Sequence, residues 1–152
     1  KIQLINDPYT FNLNLERDFI IEGKFKLNFK DLIETGYFSI HKKGATVELD
    51  LGRNFLLPNK SLKFNLEQDI ELGDFLKALN FSNYGMYQEK KRLTVRKFLL
   101  FLTGNHQSRI ENHWKVTYPE DVEMTNHSKI PKIIVITSEE IILKLLIKKV
   151  YA

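Results

Sequence analysis

FNLNLERDFIIEGKFKLNF, residues 11–29, places Phe11, Leu13, Leu15, Phe19, Ile21, Phe25, Leu27 and Phe29 at odd positions. Asn12, Asn14, Glu16, Asp18, Glu22, Lys24, Lys26 and Asn28 lie between them. A period of two buries one face of a strand and wets the other, so antiparallel sheet is the expectation. Arg17 or Asp18 marks a bend, giving two strands or one bent strand. Gly23 falls on the inward face, where a glycine signals a bulge or the close approach of another backbone.

Outward from that stretch, residues 37–51 read as a hairpin. With Lys43-Gly44 as a two-residue turn, Ile40 faces Val47 and Phe38 faces Leu49, while His41, Ser39 and Tyr37 face Thr46, Glu48 and Asp50 on the other side. Leu62, Phe64 and Leu66 alternate again after a break at Pro58-Asn59-Lys60-Ser61. Leu72, Phe75, Leu76 and Leu79 then change to helical spacing, ending near Asn80. Leu93–Thr103 predicts a buried helix with Thr94 as N-cap and Gly104 as stop, a buried strand being the competing reading. Trp114, Val116 and Tyr118 predict a strand closed by Pro119, with a polar loop over 119–131 and a strand over Ile133–Ile136. Thr137 and Glu140 have capping-box spacing, which predicts a last helix to about Val150 with Lys148 and Lys149 in its final turn. The whole reads as α+β: a meandering antiparallel sheet of six or seven strands, which could close into a barrel, with two or three helices, the last C-terminal.

A chain of 152 residues with 43% apolar and 28% charged residues fits a single domain spanning 1–152. The sequence has no cysteine, which excludes disulfides, thiolate metal sites and a cysteine nucleophile. No apolar run approaches the roughly 18–20 residues of a membrane span, so the expectation is an intracellular, cytoplasmic protein with no membrane contact.

Charge is uneven along the chain. Met86–Tyr118 holds Lys90, Lys91, Arg92, Arg96, Lys97, Arg109 and Lys115 against Glu89 and Glu111, a local 7 − 2 = +5. The chain has 23 bases and 19 acids for a net +4, so the remainder is 16 − 17 = −1. Lys90, Lys91, Arg92, Arg96 and Lys97 sit at or before a helix start, the end where the dipole disfavours cations, so an outside anion would relieve them. The commonest such anion in cells is a phosphate backbone. This predicts a non-enzymatic module binding nucleic acid through residues 86–118. Those five neutralise phosphates, Asn105, Gln107 and Arg109 are the side-chain types that read base edges, and Lys115 belongs to the same binding face. Trp114, Tyr84 and Tyr87 would stack on bases if exposed. The plain alternative is a solvated face of an apolar helix. A second functional reading is an interaction domain of a larger assembly that docks an acidic protein.

Chemistry is sparse. His41, His106, His113 and His127 match no metal-ligand spacing, and neither metal nor cofactor is expected. Asp7 with Glu22-Gly23-Lys24 resembles the acid and Glu-x-Lys of metal-dependent nucleases, with Glu22 and Lys24 on one side of a strand. That pattern also arises on any charged strand face. Glu139 and Glu140 read as helix-cap acids, and no phosphate-binding or nucleophile motif is present.

Overall fold

A computed structural model describes residues 2–54, 57–70, 93–104, 109–111, 113–119, 129–139 and 141–152. After a 3-10 turn at Pro8–Thr10 come β1 (Phe19–Phe29), β2 (Leu32–Lys43), β3 (Thr46–Asn54) and β4 (Leu57–Asn65). β5 (Asp69–Ile70), β6 (Leu93–Thr94) and helix α1 (Val95–Phe101) follow, then β7 (Arg109–Glu111), β8 (Trp114–Thr117), β9 (Ile133–Ser138) and β10 (Ile141–Tyr151). One antiparallel sheet runs β4-β3-β2-β1-β10-β9-β8-β7, and β5 pairs with β6. Two meanders, β1–β4 and β7–β10, are thus joined where β1 meets β10.

The odd positions of β1 are buried throughout, as their alternation requires. Residues 11–18 are not a second strand: Arg17 N donates to the Asn14 carbonyl at 3.1 Å in a turn, while Leu13 still packs into the core. One face of the sheet carries the core, with Val95, Leu99, Phe101 and Leu102 of the helical segment also buried. Leu49 of β3 and Trp114 of β8, five strands apart in the sheet, line one apolar void of about 50 Å³ with Ile70, Leu93 and Phe98. The sheet therefore curls strongly around its inner layer. No ladder joins β4 to β7 among the described residues, so it stays open rather than closing into a barrel.

Helix α1 has the predicted N-cap but is shorter than expected, running from Val95 to Phe101 with Leu102 as C-cap, before Gly104. Thr94 Oγ1 accepts from Lys97 N at 3.1 Å, and Gly104 takes φ +76. The expected helix at 72–80 lies outside the described residues.

Two expectations are corrected. In the β2–β3 hairpin Ile40 pairs with Leu49 and Phe38 with Leu51, so the turn is Gly44-Ala45. A shift of two residues keeps every side chain on its predicted face, so the hydrophobic pattern could not tell the registers apart. Gly44, at φ +60, takes the first turn position, and its N–H is held by Asp18 Oδ1 at 2.8 Å.

The second correction is larger: the C-terminal segment is strand β10, not a helix. In a strand Ile141, Leu143, Leu145, Ile147 and Val150 all reach the core. A helix would scatter the first four around its axis and bury about half of them. Each buried aliphatic contributes about 1.5–3 kcal/mol, against about 1 kcal/mol for a helix cap. Burial wins. Among the described residues there is accordingly one helix where two or three were expected, beside the main antiparallel sheet and the small β5–β6 pair.

Candidate anion-binding face

The site begins at a flaw in the central ladder. Glu22 pairs with Lys149 but Gly23 with Ile147, which leaves Lys148 as an extra residue in β10. Such a bulge disrupts the alternation locally and re-aims side chains. Here it leaves two consecutive lysines, Lys148 and Lys149, both exposed. Its loose backbone groups are satisfied from the flanks: Ile147 N donates to the Lys132 carbonyl at 2.9 Å, and Tyr9 Oη donates to the Ile147 carbonyl at 2.7 Å. Gly23 lets the strands meet closely, since a Cβ there would strike the Leu146 carbonyl oxygen and lie 2.9 Å from Phe38 Cε1. Of the two sequence readings of Gly23, close approach is met, while the bulge lies across the ladder at Lys148.

Above the bulge, on the solvent side of the sheet, lies a pocket of about 400 Å³. Lys24, Lys148 and Lys149 line it with Glu22, and Tyr37, Ser39 and Asp50 complete its polar lining. Lys24 Nζ sits 5.6 Å from the centre of the Tyr37 ring, a cation–π contact. Gly52, which also lines the pocket, pairs across from Tyr37 and leaves the space beside that ring without a side chain. Beside the pocket Ser39 Oγ lies 2.7 Å from His41 Nε2, which is 3.7 Å from Asp50 Oδ2; Ser61 Oγ donates to Asp50 Oδ1. A catalytic Ser-His-Asp relay uses both ring nitrogens. Here one nitrogen meets both partners, so this cluster is a polar wall and not a relay.

The same face continues as a row of lysines. Lys26 of β1 stands directly opposite Lys144 of β10. Like charges opposed across a ladder destabilise it slightly. With Lys24, Lys148 and Lys149 this makes five lysines on two adjacent strands, against the single acid Glu22. None of the five forms an ion pair with another described residue. Lys115 of β8 is exposed on this face too, its neighbour Thr137 pairing in turn with Ile142 of β10.

The sequence-predicted contacts fare differently. Lys90, Lys91, Arg92, Asn105 and Gln107, with Tyr84 and Tyr87, lie outside the described residues. Arg109 is placed in β7 by its backbone. Arg96 is exposed, but Nε and Nη2 hold Glu67 Oε1 at 2.7 and 2.6 Å, so its charge is already matched. Lys97 is half-buried in the first turn of α1, whose seven residues offer no long dipole. Trp114 is buried in the inner layer and cannot stack on a base. Of those whose side chains are described, only Lys115 joins the lysine row. Spacing in the sequence could not reveal that row, because its members lie at 24–26 and 144–149 and meet only through the β1–β10 ladder.

Asp7 is committed to capping the 3-10 turn, accepting from Tyr9 N at 3.2 Å, while Glu22 and Lys24 share the pocket as their spacing implied. Among the described residues no group of three or more His, Asp or Glu is placed to hold a metal, and no helix is long and apolar enough to cross a membrane. The chain matches no known protein-family model and no curated protein sequence.

Proposed function

We propose that this protein is a non-enzymatic binding module for a nucleic-acid phosphate backbone, with the outer face of β1 and β10 as its main contact. One observation carries the reading: Lys24, Lys26, Lys144, Lys148 and Lys149 share a face without ion-pair partners among the described residues. The opposed Lys26 and Lys144 weaken their own ladder, a cost that an external polyanion would offset. Arg96 contributes little, since Glu67 already neutralises it.

Binding of duplex DNA and of RNA measured against salt tests this. Five neutralised phosphates give a log–log slope of about −4.5 for duplex DNA and about −3.5 for single strands. K26E/K144E should remove about two from the duplex slope, and R96E should leave it nearly unchanged. No binding at low salt, or a loss confined to R96E, would overturn the reading.

A second reading, docking of an acidic protein, draws on one further feature. Ile33 and Ile142, 61% and 44% exposed, flank Asn28 on this same face beside Lys26 and Lys144. Apolar side chains ringed by cations suit a protein interface better than a phosphate row. Ile33→Ser with Ile142→Ser would leave nucleic-acid binding intact and abolish protein docking.

A further inference from the structure

We infer that the pocket at the β10 bulge holds a nucleoside 5′-monophosphate, either free or as the phosphorylated end of a strand. This rests on the polyanion reading above and narrows it to one chemical unit. A backbone running along the face needs only exposed ammonium groups, which all five lysines supply whether or not a pocket lies among them. It has no use for a cavity of about 400 Å³. That volume falls within the roughly 300–1,000 Å³ of small-ligand sites.

The lining has two kinds of chemistry. Lys24, Lys148 and Lys149 supply ammonium donors, the partners of a phosphate, and the bulge is what turns two successive lysines toward it. Ser39 and Asp50 lie elsewhere on the wall, with Tyr37 also lining the space. A carboxylate repels phosphate but accepts from an exocyclic amine or ring N–H, as acids do from cytosine N4. A tyrosine offers a surface on which any base can stack. A ligand anionic at one end, aromatic in the middle and hydrogen-donating at the other satisfies all of these together. Glu22 pairs across the ladder with Lys149 and tempers the cationic end without cancelling three lysines.

The test is calorimetric titration of the full chain with AMP, GMP, CMP and UMP, and with the four nucleosides. The expected result is 1:1 binding of at least one monophosphate, ten-fold or more tighter than its nucleoside. K148A/K149A should weaken it at least ten-fold, and D50N should change the order of preference among the four. K26E/K144E should leave mononucleotide binding unchanged while lowering the polymer slope. A 5′-phosphorylated oligonucleotide should bind more tightly than its 5′-hydroxyl counterpart; mononucleotide binding without that difference assigns the pocket to the free form. If no monophosphate binds at millimolar concentration in low salt, or if K148A/K149A binds as well as the parent, the pocket assignment falls, and polymer binding stands or falls separately on its salt slope. Mononucleotide binding with no polymer binding keeps the pocket and overturns the backbone reading alone.

Discussion

Gly23 and Gly44 show why glycine has to be judged residue by residue. At Gly23 the φ is ordinary and the constraint is space: a methyl group would meet the Leu146 carbonyl oxygen, which belongs to rigid ladder backbone, and the Phe38 ring. Gly23→Ala is expected to cost about 2–3 kcal/mol, the scale of overpacking in a core. At Gly44 nothing lies within 4 Å, and only φ +60 opposes a side chain. Gly44→Ala should cost about 1 kcal/mol. Urea denaturation of the two variants checks the order; equal effects would show that the β1–β10 contact is looser than described. Lys42 is a charged residue on the buried face of the sheet. It occupies an inward position at 3% exposure, with Nζ donating to the Arg17 carbonyl at 3.1 Å and lying 6.0 Å from the centre of the Phe19 ring. Its long stem fills the core while its charge finds a local acceptor.

At the scale of elements, β10 explains both the misreading and the site. Leu143, Ile147 and Val150 are spaced four and three apart, which is helical, but the last step of three is a strand with one residue added. Deleting Lys148 would restore strict alternation, with Ile147 and Val150 still inward. The deletion variant should therefore fold with a Tm within a few degrees of the parent, yet lose the pocket and about one of the salt slope. A collapse of thermal stability would mean that the bulge is needed for the sheet's curl. The opposed pair makes a complementary prediction. K144E turns a repulsive cross-strand pair into an attractive one, so stability rises by a few tenths of a kcal/mol while polyanion affinity falls. Thermal melts read beside filter binding should move in opposite directions.

For the whole molecule, the β1–β10 ladder is the seam on which everything depends. It joins residues as far apart as Ile20 and Tyr151, so folding must close a loop of nearly the whole chain. Such non-local pairing folds slowly. A chain ending before Ile141 would lose five buried side chains, worth about 7–15 kcal/mol, against a total stability of about 5–15 kcal/mol. It should show no cooperative unfolding by circular dichroism. The sequence alone determined whatever depends on neighbours. The alternation of β1, the faces of the β2–β3 hairpin, the Thr94 cap and the special status of Gly23 are short-range steric and patterning effects. Tertiary structure decided the rest. Whether 141–151 coils or extends depends on what it can bury against, and the hairpin register depends on a turn that two alignments satisfy equally. The lysine face exists only once β1 and β10 pair, because electrostatics acts through space and takes no account of distance along the chain.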